Sequence, residues 1–356
     1  MKHVTDRTND IQQLKGVLVN GPWGTVGPKF FAASDAVAAY CQAKYGLVTF
    51  SASAALETIL RGWNIAYEDE VIVASWSDPM DAMVTAAVGA TPVFADVCSK
   101  TLTLTCEGIA PYVNTHTRAV IADLPAGNPC DAKALSEFCQ EKGVRLILNM
   151  GDAWATTLNG RPISQYADAA FFNMAEGGAL DVGLAGAVIT DDQESFDLFY
   201  AYHNCGRPLG EGSTLSFDEI IGGDLRVAEW QASLIPGQLS VLKDSVADCR
   251  SQRETLEAMR GDDFETVAIV EGGVSSCCGT LLRFVPGKSG KTLEEAVNTL
   301  REKGIQAVPY YPVMHAQPFW GNAYFEKLTG KTLKHEDTAY PGSLQASAAV
   351  LYAARK

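Results

Sequence analysis

Short runs of apolar residues alternate with longer stretches of mixed character over the first two-thirds of the chain. The short runs predict strands at Leu47–Ser51, Val71–Ser75, Pro92–Val97, Ala119–Asp123, Arg145–Asn149, Ala169–Asn173 and Ala185–Thr190. The stretches between several of these strands have helical spacing and predict helices at Ala54–Trp63, Pro79–Val88, Ala132–Lys142 and Gln193–His203. Alternation of strands and helices indicates an α/β fold with a mainly parallel sheet and helices on both faces.

The pattern changes towards the C-terminus. A helical pattern from Leu225 to about Met259 leads into a region of different character. This region predicts two strands, a helix and another strand, at Thr266–Val270, Thr280–Val285, Leu293–Lys303 and Ile305–Val308. We therefore expect a large domain over residues 1–244, including the N-terminal segment, and a small α+β domain over residues 245–356.

The bulk composition is that of an acidic globular protein. The chain has 356 residues, of which 47% are hydrophobic and 20% are charged, and its formal net charge is -14. An acidic surface repels nucleic acid and anionic membranes, so neither is expected as a partner. The first residues are polar and no long apolar run follows, which predicts a cytoplasmic protein. Nine cysteines show no CxxC and no His/Cys metal spacing, so no metal site is expected.

Eight short motifs occur in an order that resembles one protein family. They are Asn20–Gly24, Ser51–Leu56, Asp69–Ile72, Gly89–Phe94, Gly127–Pro129, Asn159–Arg161, Ile220–Arg226 and Tyr311–Pro318. From about Val17 to the C-terminus the chain resembles the DegT/DnrJ/EryC1/StrS aminotransferases, which use pyridoxal phosphate (PLP) and act mainly on keto-sugars and cyclitols. The resemblance implies a large domain of the PLP-dependent transferase fold, fold-type I, like that of aspartate aminotransferase.

The resemblance also draws attention to a lysine that is absent. Enzymes that use PLP hold it as a Schiff base on a lysine amine, which also moves protons at the substrate carbon. No lysine occurs between Arg161 and Leu242, the stretch in which the resemblance places this anchor. The corresponding residue is Gly178. The resemblance thus implies a site without its covalent anchor.

Three further positions are implied to surround the cofactor ring. Asn149 stands where the family has the acid that pairs with the pyridine nitrogen, and a neutral amide keeps that nitrogen protonated poorly. Asp152 replaces the glutamine beside the phenolic oxygen, which a carboxylate would repel. The aromatic residue that stacks on the ring corresponds to Asp78, with Trp76 as the neighbouring aromatic that would have to replace it.

The phosphate end is implied to be altered as well. Asn173, five positions before Gly178, takes the place of a small hydroxyl residue, and Asp224 replaces an asparagine that the partner subunit supplies. Ser53 and Ala54 remain at the start of a predicted helix, whose backbone N–H groups can bind an anion. Together these changes predict that no cofactor is used. Noncovalent binding of PLP or of pyridoxamine phosphate (PMP) is the alternative.

Four aspartates are expected to face the cavity that the cofactor would otherwise fill: Asp78, Asp152, Asp181 and Asp224. Grouped carboxylates raise one another's pKa and can form an acid–base pair, so Asp78 and Asp152 are predicted to be catalytic. His203 is a third catalytic candidate, as a base in place of the lysine, and its alternative is a structural role at a helix end. The alternative for the aspartates is that they are solvated loop acids.

A further group of residues is expected to border the substrate. The resemblance places them at the mouth of the site, in the segment from the small domain, or at the subunit interface. They are Trp23, Trp76, Tyr310, Tyr311, His315 and Arg226. The expected ligand is a small polar ring, and interdomain packing is the alternative role for each residue.

Three functional hypotheses follow from these positions. The first is a homodimer repurposed for acid–base chemistry without the usual use of PLP, acting on a sugar-like or amino-acid-derived metabolite. The second is a noncatalytic subunit that dimerises with an active, lysine-bearing paralogue. The third is a PLP-dependent sugar aminotransferase. The altered positions favour the first.

Overall fold

The computed structural model describes residues 7–176, 178–210, 213, 215–216, 220–276, 279–333 and 339–355. Its helices are α1 (Thr8–Asn20), α2 (Pro28–Cys41), α3 (Ala52–Gly62), α4 (Pro79–Ala87), α5 (Cys106–Ile109), α6 (Ala132–Lys142), α7 (Gln193–His203), α8 (Glu229–Ala232), α9 (Ile235–Met259), α10 (Leu293–Glu302), α11 (Ala323–Thr329) and α12 (Pro341–Ala349). Its strands are β1 (Tyr45–Thr49), β2 (Glu70–Ala74), β3 (Thr91–Ala95), β4 (Thr117–Asp123), β5 (Arg145–Gly151), β6 (Thr157–Leu158), β7 (Arg161–Pro162), β8 (Ala169–Asn173), β9 (Gly186–Thr190), β10 (Phe264–Thr266), β11 (Gly273–Val274), β12 (Thr280–Phe284), β13 (Ile305–Pro309) and β14 (Val350–Arg355).

The central sheet has the strand order β1-β9-β8-β5-β4-β2-β3. Only β9 is antiparallel to its neighbours in this sheet. Because β9 lies between β1 and β8, those two strands run in the same direction as the rest of the sheet. Their carboxyl ends therefore meet at one edge. The predicted α/β fold with a mainly parallel sheet is confirmed.

The central sheet is buried on both faces. In β9 every residue from Gly186 to Thr190 is buried, and in β8 the residues from Ala169 to Phe172 are buried as well. Successive residues of a strand point to opposite faces, so continuous burial requires cover on both sides. The helices between the strands provide this cover. No helix of the described ranges is long and apolar enough to cross a membrane.

The predicted elements of the large sheet agree with the structure to within a few residues. The bounds of β8, α6 and α7 are those predicted from the sequence. The predicted helix from Leu225 to Met259 is instead two helices, α8 and α9, because Pro236 fits the first turn of a helix but cannot continue a preceding one. The predicted strand at Thr266–Val270 is wrong, since β10 already ends at Thr266.

A second sheet has the order β10-β12-β14-β13 and is antiparallel throughout. Helix α10 packs on it, and together they enclose a small separate core with Leu256, Phe264, Leu282 and Leu300 among its residues. The last strand, β14, was not predicted from the sequence. Helix α9 runs through the expected boundary between residues 244 and 245. The division into two domains stays a prediction.

Candidate active site

The carboxyl ends of the parallel strands form the edge at which the candidate site lies. Strands β2, β4, β5 and β8 are neighbours in the sheet. The residues that end or closely follow these strands include Asp78, Asp123, Asn149, Asp152 and Asn173. In open α/β sheets, ligands bind in crevices beyond these carboxyl ends. The fold therefore brings together the positions that the resemblance assigned to the cofactor ring.

The turn between β1 and α3 is built to receive an anion. The Ser51 hydroxyl caps α3 by accepting the N–H of Ala54 at 3.1 Å, and it lies 2.9 Å from the Ser53 hydroxyl. Gly186 approaches the Ser51 backbone so closely that a β-carbon at residue 186 would overlap the Ser51 carbonyl. Two hydroxyls thus stand beside the first N–H groups of an eleven-residue helix, an arrangement that favours phosphate.

The side chain of Asn149 is fixed on both of its polar atoms. Its Nδ2 donates to Oδ1 of Asp81 at 2.9 Å, and its Oδ1 accepts the N–H of Gly151 at 3.0 Å. Asp81 is fully buried, and its second oxygen has no hydrogen-bond partner. Burial, with the nearby charges of Asp123 and Asp78, raises the pKa of Asp81 well above its ordinary value. Asp81 therefore takes up a proton more readily than an ordinary carboxyl group, and its hydrogen bond holds Asn149 in place.

Asp123 and Asp78 adjoin this pair. The N–H of Asp78 donates to Oδ2 of Asp123 at 3.3 Å, while the Asp78 carboxylate caps α4 by accepting the N–H of Met80 at 2.9 Å. Burial and the charge of Asp78 raise the pKa of Asp123 to about 7. Burial raises the pKa of Asp78 as well. These acids form the carboxyl cluster, defined as Asp78, Asp81 and Asp123.

Asp123→Asn is expected to flatten the dependence of stability on pH. The folded-state pKa of about 7 lies above the ordinary 3.8, so the folded protein keeps a proton that the unfolded chain releases. The contribution of Asp123 to stability is therefore greatest below about pH 4. It is lost as the pH rises towards about 7. The variant removes this titration and should be more stable at pH 7.5 by about 1 to 2 kcal/mol.

Urea unfolding of both proteins at about pH 5 and about pH 7.5 measures this difference. The groups that face Asp123 are the carboxyl groups of Asp78 and Asp81 and the hydroxyl of Tyr311, which bonds to Asp123. The variant leaves these three groups in place. Asp181→Asn, which removes a carboxylate outside the carboxyl cluster, is the control for the loss of one negative charge. If wild type and Asp123→Asn lost the same free energy of unfolding between these two pH values, the raised pKa of Asp123 would be contradicted.

Asp152 lies against Gly178, the residue at which the resemblance places the family's anchor. Its Oδ1 accepts the N–H of Ala179 at 3.3 Å. An ideal β-carbon on Gly178 would lie 2.5 Å from this oxygen and 3.0 Å from the carbonyl oxygen of Ala175. Burial raises the pKa of Asp152. The carboxylate thus occupies the space into which any side chain at residue 178 would extend.

The aromatic segment predicted to border a substrate is packed against the end of β2. Trp76 is 1% exposed, donates to the carbonyl oxygen of Tyr311 at 3.1 Å, and contacts the Tyr310 and Tyr311 rings. The Tyr310 hydroxyl accepts the N–H of Ala126, and buried His315 contacts the Ser75 hydroxyl. These contacts favour the packing alternative for Trp76, Tyr310 and His315. Tyr311 reaches the carboxyl cluster through Asp123.

His203 is not brought to the strand ends. It is fully buried, its ring stacks on Phe30 at 5.5 Å between centroids, and its Nδ1 lies 2.7 Å from the carbonyl oxygen of Tyr200. Burial lowers its pKa to about 4, so the ring is neutral. This position favours the structural alternative over a catalytic base, because solvent and substrate do not reach the imidazole.

The expected group of four aspartates does not form. Asp181 pairs with Arg7 at 3.1 Å, and Asp224 is an exposed carboxylate paired with Arg226 at 2.7 Å, which lowers the pKa of Asp224. Asp224 is therefore neutralised within its own chain, although backbone contacts from Leu225 to Phe50 place this segment beside the phosphate turn. The carboxylate of Asp224 therefore adds little net negative charge near that turn, because Arg226 balances it.

The remaining predicted residues lie at the periphery. Trp23 is 64% exposed, in the segment between α1 and α2. Asn173 ends β8, and its carbonyl oxygen accepts the indole N–H of Trp154 at 3.2 Å. Sequence reasoning missed Asp81 and Asp123. The available signal was that Asp123 ends an apolar strand and that Asp81 follows Asp78 by one helical turn.

Comparison with proteins of known sequence shows the family of the chain. The profile of the DegT/DnrJ/EryC1/StrS aminotransferase family matches residues 4–344. The 3-amino-5-hydroxybenzoate synthase of Amycolatopsis mediterranei (strain S699) is 26% identical over 305 residues, covering 84% of this chain and 78% of that protein. The L-glutamine:2-deoxy-scyllo-inosose aminotransferase of Streptomyces paromomycinus is 29% identical over 266 residues, covering 71% and 63%.

Solved structures show the same fold. A 3-amino-5-hydroxybenzoic acid synthase superposes with a TM-score of 0.85 at 22% identity, covering 98% of this chain and 91% of that chain. Spr1654 of Streptococcus pneumoniae, solved in a PMP form and a PLP form, superposes with TM-scores of 0.82 and 0.81 at 21% and 22% identity, covering 97% of this chain and 91% and 90% of those chains. The fold is thus that of the PLP-dependent aminotransferases, fold-type I. The chain belongs to the DegT/DnrJ/EryC1/StrS aminotransferase family.

These comparisons correct two expectations. The hypothesis of a repurposed protein with PLP-independent chemistry is wrong, because the chain belongs to a family of aminotransferases and one of its relatives is named as an aminotransferase of 2-deoxy-scyllo-inosose. The expectation of no cofactor is wrong for the same reason, since the family and the matching structures imply PLP. Sequence reasoning gave more weight to single altered positions than to the eight motifs that the chain retains.

The described residues fit one end of PLP and not the other. Ser51, Ser53 and the start of α3 offer hydroxyls and N–H groups that suit a phosphate. Gly178 has no amine, and no lysine of the described residues bonds to Asn149, Asp152 or the carboxyl cluster. A Schiff base at residue 178 is therefore incompatible with this chain, while a phosphate contact is compatible.

Proposed function

We propose that this chain is an aminotransferase that exchanges an amino group and a keto group on a sugar or cyclitol, with PLP and PMP as its cofactor. The match to the family over residues 4–344 supports this proposal most strongly. The phosphate turn lies at the same sheet edge as Asn149 and Asp152, which provides a site of the right organisation. When bound, the cofactor carries the amino group between donor and acceptor.

The cofactor is proposed to be held without a covalent bond. Its phosphate would contact the turn at Ser51 and Ser53, and its ring would lie towards Asn149 and Asp152. The relative from Streptomyces paromomycinus is named for L-glutamine and 2-deoxy-scyllo-inosose. We therefore propose an amino acid such as L-glutamine as the donor and a cyclic polyhydroxylated ketone as the acceptor.

The proposed assembly is a homodimer. Ile221 is 97% exposed and Trp230 is 40% exposed, on the chain segment that also contains Arg226. Large apolar side chains that are exposed on a surface are common at interfaces between subunits. Sedimentation analysis checks this proposal, and a purely monomeric protein at micromolar concentration would contradict it.

The test of the proposed function compares PMP with pyridoxamine, which lacks the phosphate. Titration followed by tryptophan fluorescence is expected to show that PMP binds at least about tenfold more tightly, because charge-assisted contacts hold its phosphate. Ser51→Ala with Ser53→Ala should weaken PMP and leave pyridoxamine unchanged. The PMP-loaded protein, mixed with 2-deoxy-scyllo-inosose, is then expected to convert PMP to PLP in a single turnover.

The binding titration and the single-turnover reaction test different parts of the proposal. Absence of PMP binding would overturn the proposed site. Tight PMP binding without any conversion by keto-cyclitols or keto-sugars would overturn the proposed reaction and leave a cofactor-binding protein.

A further inference from the structure

Asp152 is a half-buried carboxylate that has no cationic partner among the described residues. In the same ranges it accepts a hydrogen bond from the backbone N–H of Ala179 at 3.3 Å. Among the described residues no lysine, arginine or histidine side chain bonds to it, and burial without such a partner raises its pKa. A carboxylate in this state gains more from a bound cation than an exposed one does, since less water screens the contact.

The surroundings of Asp152 are also acidic. Asn149 lies on the same strand end and bonds to Asp81 of the carboxyl cluster. In the described part of the chain no cationic side chain bonds to Asp78, Asp81 or Asp123 either. The phosphate turn at Ser51 lies at the same edge and offers only hydroxyls and N–H groups. One end of the site therefore suits an anion and the other suits a cation.

Residue 178 determines which form of the cofactor the site can bind favourably. A lysine there would react with an aldehyde, but Gly178 offers no amine, and Oδ1 of Asp152 lies 2.5 Å from the position of its absent β-carbon. PLP and PMP share the ring and the phosphate and differ at one substituent, an aldehyde in PLP and a protonated amine in PMP. Only the amine can form a charge-assisted hydrogen bond with a carboxylate.

We propose that Asp152 binds the amine of PMP, so that the site selects the amine form of the cofactor over the aldehyde form. The inference rests on the proposed function, since it assumes that the phosphate turn holds such a ligand. Asp152 then takes over, by a reversible ionic contact, the retention that a covalent anchor provides elsewhere in the family.

The test is a pair of equilibrium titrations, with PMP and with PLP, on wild type and Asp152→Asn. The asparagine keeps the shape of the side chain and its acceptor for Ala179 but removes the charge. Wild type is expected to bind PMP at least about tenfold more tightly than PLP, and the variant is expected to lose this preference by weakening PMP alone. Asp181→Asn, which makes the same substitution at an aspartate paired with Arg7 in the segment between β8 and β9, is the control and should behave as wild type.

The outcomes distinguish the inference from the proposed function. Wild type that binds both forms equally, or that binds PLP more tightly, overturns the role of Asp152 even if the variant does not fold. A preference for PMP that survives in folded Asp152→Asn overturns it as well. If wild type binds neither form, the proposed function fails and the inference fails with it.

Discussion

Gly178→Lys alone is expected to form no Schiff base with PLP, whereas Gly178→Lys combined with Asp152→Ala is expected to form one. A β-carbon at residue 178 would lie 2.5 Å from Oδ1 of Asp152 and 3.0 Å from the carbonyl oxygen of Ala175. A lysine there must displace the carboxylate from the Ala179 N–H, and the displaced carboxylate would pair with the new amine. A paired lysine remains protonated and does not attack an aldehyde.

Borohydride reduction after incubation with PLP, followed by intact-protein mass spectrometry, measures the adduct directly. Asp152→Ala alone is the control and should remain unlabelled, which shows that labelling in the double variant comes from residue 178. Peptide mapping assigns the modified residue. Equal labelling of the single and double variants would show that Asp152 does not block this position.

Glu229→Ala is expected to lower the free energy of unfolding by about 3 to 5 kcal/mol. Glu229 is fully buried, and its carboxylate accepts the backbone N–H groups of Gly27, Lys29 and Phe30 at 3.0, 2.9 and 2.8 Å. These groups belong to the first turn of α2, where a helix has no partners of its own for its N–H groups. Alanine would leave all three without this acceptor, with the N–H of Phe30 in the interior, and would remove a negative charge from the positive end of the helix dipole.

Chemical unfolding followed by circular dichroism measures this loss. Glu229→Gln keeps the shape and one acceptor oxygen and should cost less than the alanine variant. Glu137→Ala is the surface control, because Glu137 is exposed and pairs only with Lys133, and it should change stability by less than about 0.5 kcal/mol. A Glu229→Ala protein as stable as this control would contradict the capping role.

The charged and polar groups at the sheet edge explain how the chain can belong to the family and have Gly178 where the resemblance places a lysine. The phosphate turn at Ser51 and Ser53 is retained, so the part of the site that binds the phosphate does not depend on residue 178. The residues that the resemblance assigns to the reactive part of the cofactor differ from the family's pattern, with Asp152 beside Gly178 and Asn149 bonded to Asp81. Such a pattern fits a protein that retains a cofactor site and changes how the cofactor is held.

The sequence by itself determined the class of fold. Continuous apolar runs such as Ala169–Asn173 predict strands buried on both faces, and the order of eight motifs along the chain is sufficient to indicate the family. It also placed Asn149, Asp152 and Asp78 at strand ends, because strand–helix alternation fixes which residues follow the carboxyl ends of parallel strands. These features depend on local periodicity and chain order, which a sequence contains.

Only the tertiary structure decided which side chains meet. Asp81 bonds to Asn149 across 68 positions, and Glu229 caps α2 at Gly27 across 202 positions. Tertiary contacts also show which of the expected aspartates lie together. Asp181 and Asp224 pair with arginines, while Asp78 contacts Asp123. Burial, pairing and the resulting pKa shifts arise from residues distant in the chain. No periodicity of the sequence encodes them, so they follow only from the packed fold.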